Sequence, residues 1–162
     1  MKILYTPNLI VRELTSAQRA RIMEAAGAGA TIVEARDVAR QRVEIVDADI
    51  LFGRVPPDVY PLAKRLRLYQ SIGAGVDAVL CPELIADDVP LSSEKGGVGV
   101  HLAEHAFGLL LALTRGLHTA IRAPDYGLRE TIRVDQRELL EQTMGIVGFG
   151  GTGRAVARRA LG

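Results

Sequence analysis

The chain has 162 residues, room for one domain with a real core, or one domain and part of a second. Hydrophobic residues make up 48% and charged residues 24%, which excludes a chain too polar to fold. Twenty Lys and Arg against nineteen Asp and Glu leave a net charge of +1, so no basic excess calls for nucleic acid or an anionic membrane.

The N-terminal run KILYT (2–6) reads as a strand. Thr6, Pro7 and Asn8 break it, and Arg12 and Glu13 follow, which is not the pattern of a signal peptide. SAQRARIMEAA (16–26) reads as a helix with Ser16 as its N-cap and GAGA closing it. TIVEA (31–35) is a second strand. DVARQRVEI (37–45) has a helical pattern that puts Val38, Val43 and Ile45 towards one face. DADILFG (47–53) carries a third strand, and PPDVYPLAKR (56–65) starts a helix with prolines in its first turn. LRLYQSIG (66–73) is a fourth strand running into a glycine turn. CPELIAD (81–87) is a short helix and VPLSSE (89–94) a fifth strand. Strands alternating with helices imply parallel pairing, hence an α/β fold.

The pattern changes near Glu94. EKGGVGV is followed by one long helix, roughly 100–122, that is apolar nearly all round. Leu102, Phe107, Leu109, Leu110, Leu111 and Leu113 cover more than one of its faces: one is expected to pack on the short strand that follows in the same chain, the other to be covered by further C-terminal structure or by a second copy. Its most apolar run, Ala106–Leu113, is far short of the roughly 18 residues a membrane span needs. APDYG (123–127) ends the helix, a polar segment (128–142) follows, and TMGIVGFG (143–150) reads as a buried strand. The single cysteine, Cys81, has no internal partner and reads as a small buried side chain in a reducing, cytoplasmic protein.

Gly148-x-Gly150-x-x-Gly153 lies between that last strand and the helix RAVARRAL. In a dinucleotide fingerprint the three glycines serve a tight turn, close approach to a pyrophosphate, and close helix packing. Phosphate would sit on the free N–H groups at the helix start, from Gly151 and Thr152 onward. The acidic residue that would separate NAD from NADP falls about 20 residues further on, past Gly162.

SIGAGVDAV (71–79), GGVGVHLAEHAFGLLLALTR (96–115) and the glycine motif, in this order and spacing, resemble the D-isomer-specific 2-hydroxyacid dehydrogenases. The resemblance implies a flavodoxin-like substrate domain over 1–97 and the start of an NAD(P)-binding Rossmann domain over 98–162, with the hinge near 96–99. It implies that Gly73, Ala74 and Gly75 cradle a substrate carboxylate on backbone N–H groups, with Arg54 as a second contact. A plain turn that needs glycine for positive φ fits the same spacing. Hydride transfer between nicotinamide and a small 2-hydroxy or 2-keto acid is the implied chemistry. The family's catalytic histidine, acid and arginine are expected beyond Gly162, so no catalytic residue is assigned. The chain reads as the N-terminal portion of such an enzyme, inactive alone, with a symmetric dimer implied through the 100–122 helix. Thr152 stands where the family usually has an apolar residue. Val98 and His101 stand where many members carry polar ones.

Two other classes compete. His101-Leu102-Ala103-Glu104-His105 matches the H-x-x-E-H zinc-peptidase pattern, with both histidines one helical turn apart. It lacks a third ligand and leaves the glycine motif unexplained, so no metal is expected. A non-catalytic flavodoxin-like module, dimerising and binding an anion, is the other alternative.

Overall fold

Four-residue runs of β-branched, leucine and aromatic residues form the strands β1 (Lys2–Tyr5), β2 (Thr31–Glu34), β3 (Ile50–Gly53) and β4 (Leu68–Ser71), with a short β5 (Leu91–Ser92). The structure, a computed structural model, describes residues 1–7, 13–123 and 129–162. All strand pairs are parallel and the sheet order is β2-β1-β3-β4-β5, the flavodoxin-like order. The links between strands carry α1 (Ser16–Ala26), α2 (Val38–Glu44), a 3₁₀ turn (Tyr60–Leu62) and α3 (Pro82–Ala86).

Register decides the core. Leu4 pairs with Leu51 and Leu51 with Tyr69, so three fully buried side chains stand in one row across the sheet. Ile45, Val59, Tyr60, Cys81 and Leu84 pack over that row from α2, the 3₁₀ turn and α3. Each such side chain contributes roughly 1.5–3 kcal/mol when withdrawn from water. Tyr60 stacks on Tyr69 at 6.2 Å, and its hydroxyl donates to Asp87 at 2.9 Å.

Three local expectations change. Thr15, not Ser16, caps α1: its hydroxyl accepts from Gln18 N (3.2 Å) while Thr15 N donates to Gln18 Oε1 (2.9 Å). The reciprocal glutamine three residues on selects the threonine. In α2 the inward face is Gln41 and Ile45, one turn apart, while Val38 and Val43 are 43% and 69% exposed. Asp37 accepting from Arg40 N sets that phase. The proline-led helix shrinks to one 3₁₀ turn, because Pro61 supplies no N–H and disfavours helical geometry before it.

Contacts divide the chain into two compact units, Met1–Lys95 and Gly96–Gly162. The second holds α4 (Gly99–Thr114), α5 (Leu117–Arg122), α6 (Arg129–Asp135) and α7 (Gly151–Ala160). The single long helix is therefore two. Gly116 adopts left-handed φ +65°, which stops α4, and α5 starts anew after it. The expected helix end at Pro124–Gly127 and residue Leu128 lie outside the described residues, as do 8–12; α6 occupies the polar segment beyond them.

Residues 143–150 form no strand. Val147 is fully exposed and Phe149 67% exposed. A strand needs a ladder partner for its N–H and C=O groups, and no strand stands beside this segment among the described residues of the unit. The apolar cover of α4 comes instead from α7. Gly99 lies against Gly151, Ala103 is fully buried, and Glu104 pairs with Arg159 at 2.9 Å. Leu109, Leu113 and Ile121 remain 55%, 66% and 84% exposed. Among the described residues no helix is long and apolar enough to cross a membrane.

Candidate functional site

In open parallel sheets, ligands collect beyond the carboxyl ends of the strands, next to the point where neighbouring connections diverge. Here β1 leads away to β2 and β3 to β4, so that point lies between β1 and β3. Two of the expected segments leave the sheet beside it. Gly53, the last residue of β3, pairs in register with Ser71, the last of β4. Arg54 and the 73–75 turn therefore emerge from adjacent strands at the same edge.

Ser71 is buried and its hydroxyl accepts from Gly73 N (3.3 Å), while Gly73 O accepts from Glu94 N (3.1 Å). These two bonds hold the turn. The Ala74 and Gly75 N–H groups bond to nothing among the described residues. Neither Gly73 nor Gly75 has a left-handed φ, so the turn does not need glycine for its backbone. A Cβ at Gly75 would meet nothing within 4 Å, and one at Gly73 would meet first the Gly75 carbonyl at 3.5 Å. The space beside Gly75 is thus open, next to two amide donors without a partner among the described residues.

Arg54 is exposed and joins no salt bridge among the described residues. Its backbone is held tightly by a residue that sequence reasoning passed over. Thr6, 1% exposed, accepts from Arg54 N at 2.6 Å and donates to Arg54 O at 2.8 Å through its one hydroxyl. Burial pushes the Tyr69 phenol up, while the nearby Val55 backbone and the Arg54 charge pull it down. The signal for Thr6 was a lone polar residue directly after an apolar run, which also looks like an ordinary strand end.

In the second unit the glycine motif makes a turn into α7. Gly148 has φ +89°. A Cβ on Gly153 would overlap the Gly148 carbonyl oxygen, so only glycine permits this approach. At Gly150 a Cβ would meet nothing within 4 Å, and the N–H groups of Gly151, Thr152 and Gly153 have no acceptor among the described residues. Arg158 and Arg159 occupy the last turn of α7, where they suit its negative end. Thr152 points to solvent, so its polarity disturbs no packing.

His101, Glu104 and His105 are exposed on α4, and Glu104 is engaged by Arg159. Among the described residues no three His, Cys, Asp or Glu side chains gather into a metal site. His118 stands in the first turn of α5, just after the helix breaks at Gly116.

No family model matches the chain. It is 31% identical over 121 residues to the hydroxypyruvate reductase of Thermotoga maritima, covering 72% of this chain and 40% of that protein. It is 32% identical over 129 residues to the D-3-phosphoglycerate dehydrogenase of Methanocaldococcus jannaschii, covering 72% of this chain and 23% of that one. The chain thus spans less than half the length of these relatives. In fold it is similar to an NAD-dependent formate dehydrogenase from Staphylococcus aureus solved with NAD, at a TM-score of 0.71 and 22% identity, over 98% of this chain and 53% of that chain.

Proposed function

We propose, from the premise that this chain belongs to the D-isomer-specific 2-hydroxyacid dehydrogenase family, that it supplies the substrate-carboxylate site and the first phosphate-binding turn of an NAD(P)-dependent oxidoreductase. Residues 1–97 serve as the substrate domain and 98–162 as the start of the cofactor domain. The observation that carries the reading is the 73–75 turn: its Ala74 and Gly75 N–H groups have no acceptor among the described residues, the space beside Gly75 is open, and the turn leaves the sheet at the same end as Arg54, which joins no salt bridge among those residues.

Ala74 and Gly75 bind one end of a small 2-keto or 2-hydroxy acid through their backbone N–H groups, Gly73 shapes the turn with its own N–H held by Ser71, and Arg54 adds a charged donor. Such donors fix the acid's orientation, and orientation governs the reactivity of the neighbouring carbonyl. Gly148, Gly150, Gly151, Thr152 and Gly153 fit a dinucleotide pyrophosphate: the turn is open at Gly150, and three N–H groups at the start of α7 lack acceptors. The nicotinamide, when bound, supplies or accepts the hydride. No residue of this chain is proposed for the proton transfer, and NAD and NADP are both accommodated by the reading.

The exposed Leu109, Leu113 and Ile121 support a symmetric homodimer through α4 and α5. The buried, unpaired Cys81 thiol supports a reducing, cytoplasmic setting. The test is a reductase assay on the product of the whole gene that encodes this chain, with NADH or NADPH and a panel of glyoxylate, hydroxypyruvate and pyruvate. Turnover of at least one is expected, with none from residues 1–162 alone. A folded gene product silent across the panel would overturn the proposal.

A further inference from the structure

We infer that Thr6 is a positioning residue for the carboxylate site: its buried hydroxyl and the glycine at 53 together lock the backbone of Arg54 and so fix the point and direction from which its side chain leaves the main chain. The inference rests on the reading of Arg54 as a carboxylate contact.

Three observations converge. The β1–β3 ladder carries on as far as Thr6 N donating to Phe52 O at 2.9 Å. One residue later the side chain replaces the backbone as partner, because the Thr6 hydroxyl bonds both the N–H (2.6 Å) and the C=O (2.8 Å) of Arg54. A hydroxyl has one donor and two acceptor sites, so both bonds are made at once. The second observation is Gly53. It has φ +136°, and a Cβ there would overlap the Thr6 hydroxyl and carbonyl and lie 3.0 Å from Thr6 N. Glycine is what lets the chain turn so that both polar groups of Arg54 face Thr6. The third is the contrast in exposure. Thr6 is 1% exposed, so water does not compete for its hydroxyl, yet Arg54 itself is exposed and joins no salt bridge among the described residues. A rigid stem under a free head is the arrangement that lowers the ordering cost of binding.

This location is also the divergence point between β1 and β3, where a ligand would sit. Thr6, 1% exposed, does not itself contact the acid. It acts through Arg54.

The test uses the ¹⁵N-labelled 162-residue chain, with glyoxylate as the probe, followed by the amide signals of Arg54 and residues 73–75 and by the Arg54 Nε–H. Thr6→Val keeps the shape and removes the hydroxyl; Thr6→Ser restores it. The expected result is glyoxylate-dependent shifts at both segments in the unaltered chain, roughly tenfold weaker affinity in Thr6→Val with the Arg54 shift lost, and affinity within about twofold in Thr6→Ser. A merely structural loss in Thr6→Val would disturb the shifts of residues 73–75 together with that of Arg54, whereas a positioning role loses the Arg54 shift while the 73–75 turn keeps its own. Arg54→Gln separates the two levels of the claim. If Arg54→Gln weakens binding and Thr6→Val does not, the positioning role is wrong and the site reading stands. If the unaltered chain shows no shift, or Arg54→Gln binds normally, the site reading of Arg54 fails and the role of Thr6 with it. Should Thr6→Val not fold, hydrogen exchange on the unaltered chain decides. The lock requires the Arg54 amide to exchange as slowly as those of β3, and fast exchange would overturn it.

Discussion

At Gly153 one methyl group would meet the Gly148 carbonyl oxygen, and the neighbouring Gly148 carbon lies 3.2 Å from the same point. The flexible end of a side chain could give way; a carbonyl in a turn cannot. Gly153→Ala is therefore expected to destabilise the second unit by about 1–3 kcal/mol and to open the turn into α7. Denaturant unfolding followed on α7 checks this, and an alanine variant of unchanged stability would contradict it. The motif was legible because its spacing is itself the geometric requirement. Thr6 and Gly53 were not. Their partnership spans 47 positions of sequence (53 − 6), and no local pattern joins a polar residue after one strand to a glycine ending another. The position of the 73–75 turn was legible but its backbone was not: its glycines carry ordinary φ values, and a Cβ at Gly75 would meet nothing within 4 Å.

Among the elements, the strands were the easiest to read and the helices around them less so. Four short apolar runs between turn signals left little choice of position. The inward face of α2 depended on a cap at Asp37 and on a buried glutamine, which hydrophobic periodicity does not weigh. The last apolar run, 143–150, has the composition of a strand without a neighbour to pair with, and pairing rather than composition makes a strand. At the opposite end of the sheet from the candidate site, Asp49 ties three elements together. It accepts from the Lys2 backbone N–H of β1 at 2.7 Å and from Arg65, before β4, at 3.2 Å. The bond from the Lys2 amide, helped by the Arg65 charge, holds its carboxyl below the ordinary value of 3.8. The Lys2 ammonium does the same for Asp47. Because the folded value is depressed, this stabilisation is complete above the ordinary carboxylate range and is lost as pH falls through the lower folded value. Thermal melts should hold steady from neutral pH down to that range and then decline. Asp49→Asn should melt lower at neutral pH and decline less steeply in acid. A variant whose acid profile runs parallel to the unaltered chain would contradict this role.

For the whole molecule, the compact units meet at residue 96, where the sequence changes from short alternating elements to a longer helical pattern. The break at Gly116 was not legible, because a single glycine inside an apolar helical pattern is compatible with a continuous helix. The uncovered leucines follow from that pattern all the same. Leu109 and Leu113 lie one turn apart on α4, both more than half exposed, and each would contribute roughly 1.5–3 kcal/mol if buried. The chain is expected to self-associate in sedimentation runs at micromolar concentration. Replacing Leu109 and Leu113 with glutamine should shift it towards monomer. A single monomeric species for the unaltered chain at high micromolar concentration would contradict the proposed dimer face.

The dehydrogenase that we propose this chain serves acts on the D-isomers of small 2-hydroxy acids, and handedness tests that most directly. The product of the whole gene, given NAD⁺ or NADP⁺ and the separate D- and L-forms of glycerate and lactate, should reduce the nucleotide with a D-form and not with its mirror image. Reduction driven by the L-forms, or by neither from a folded protein, would contradict the account.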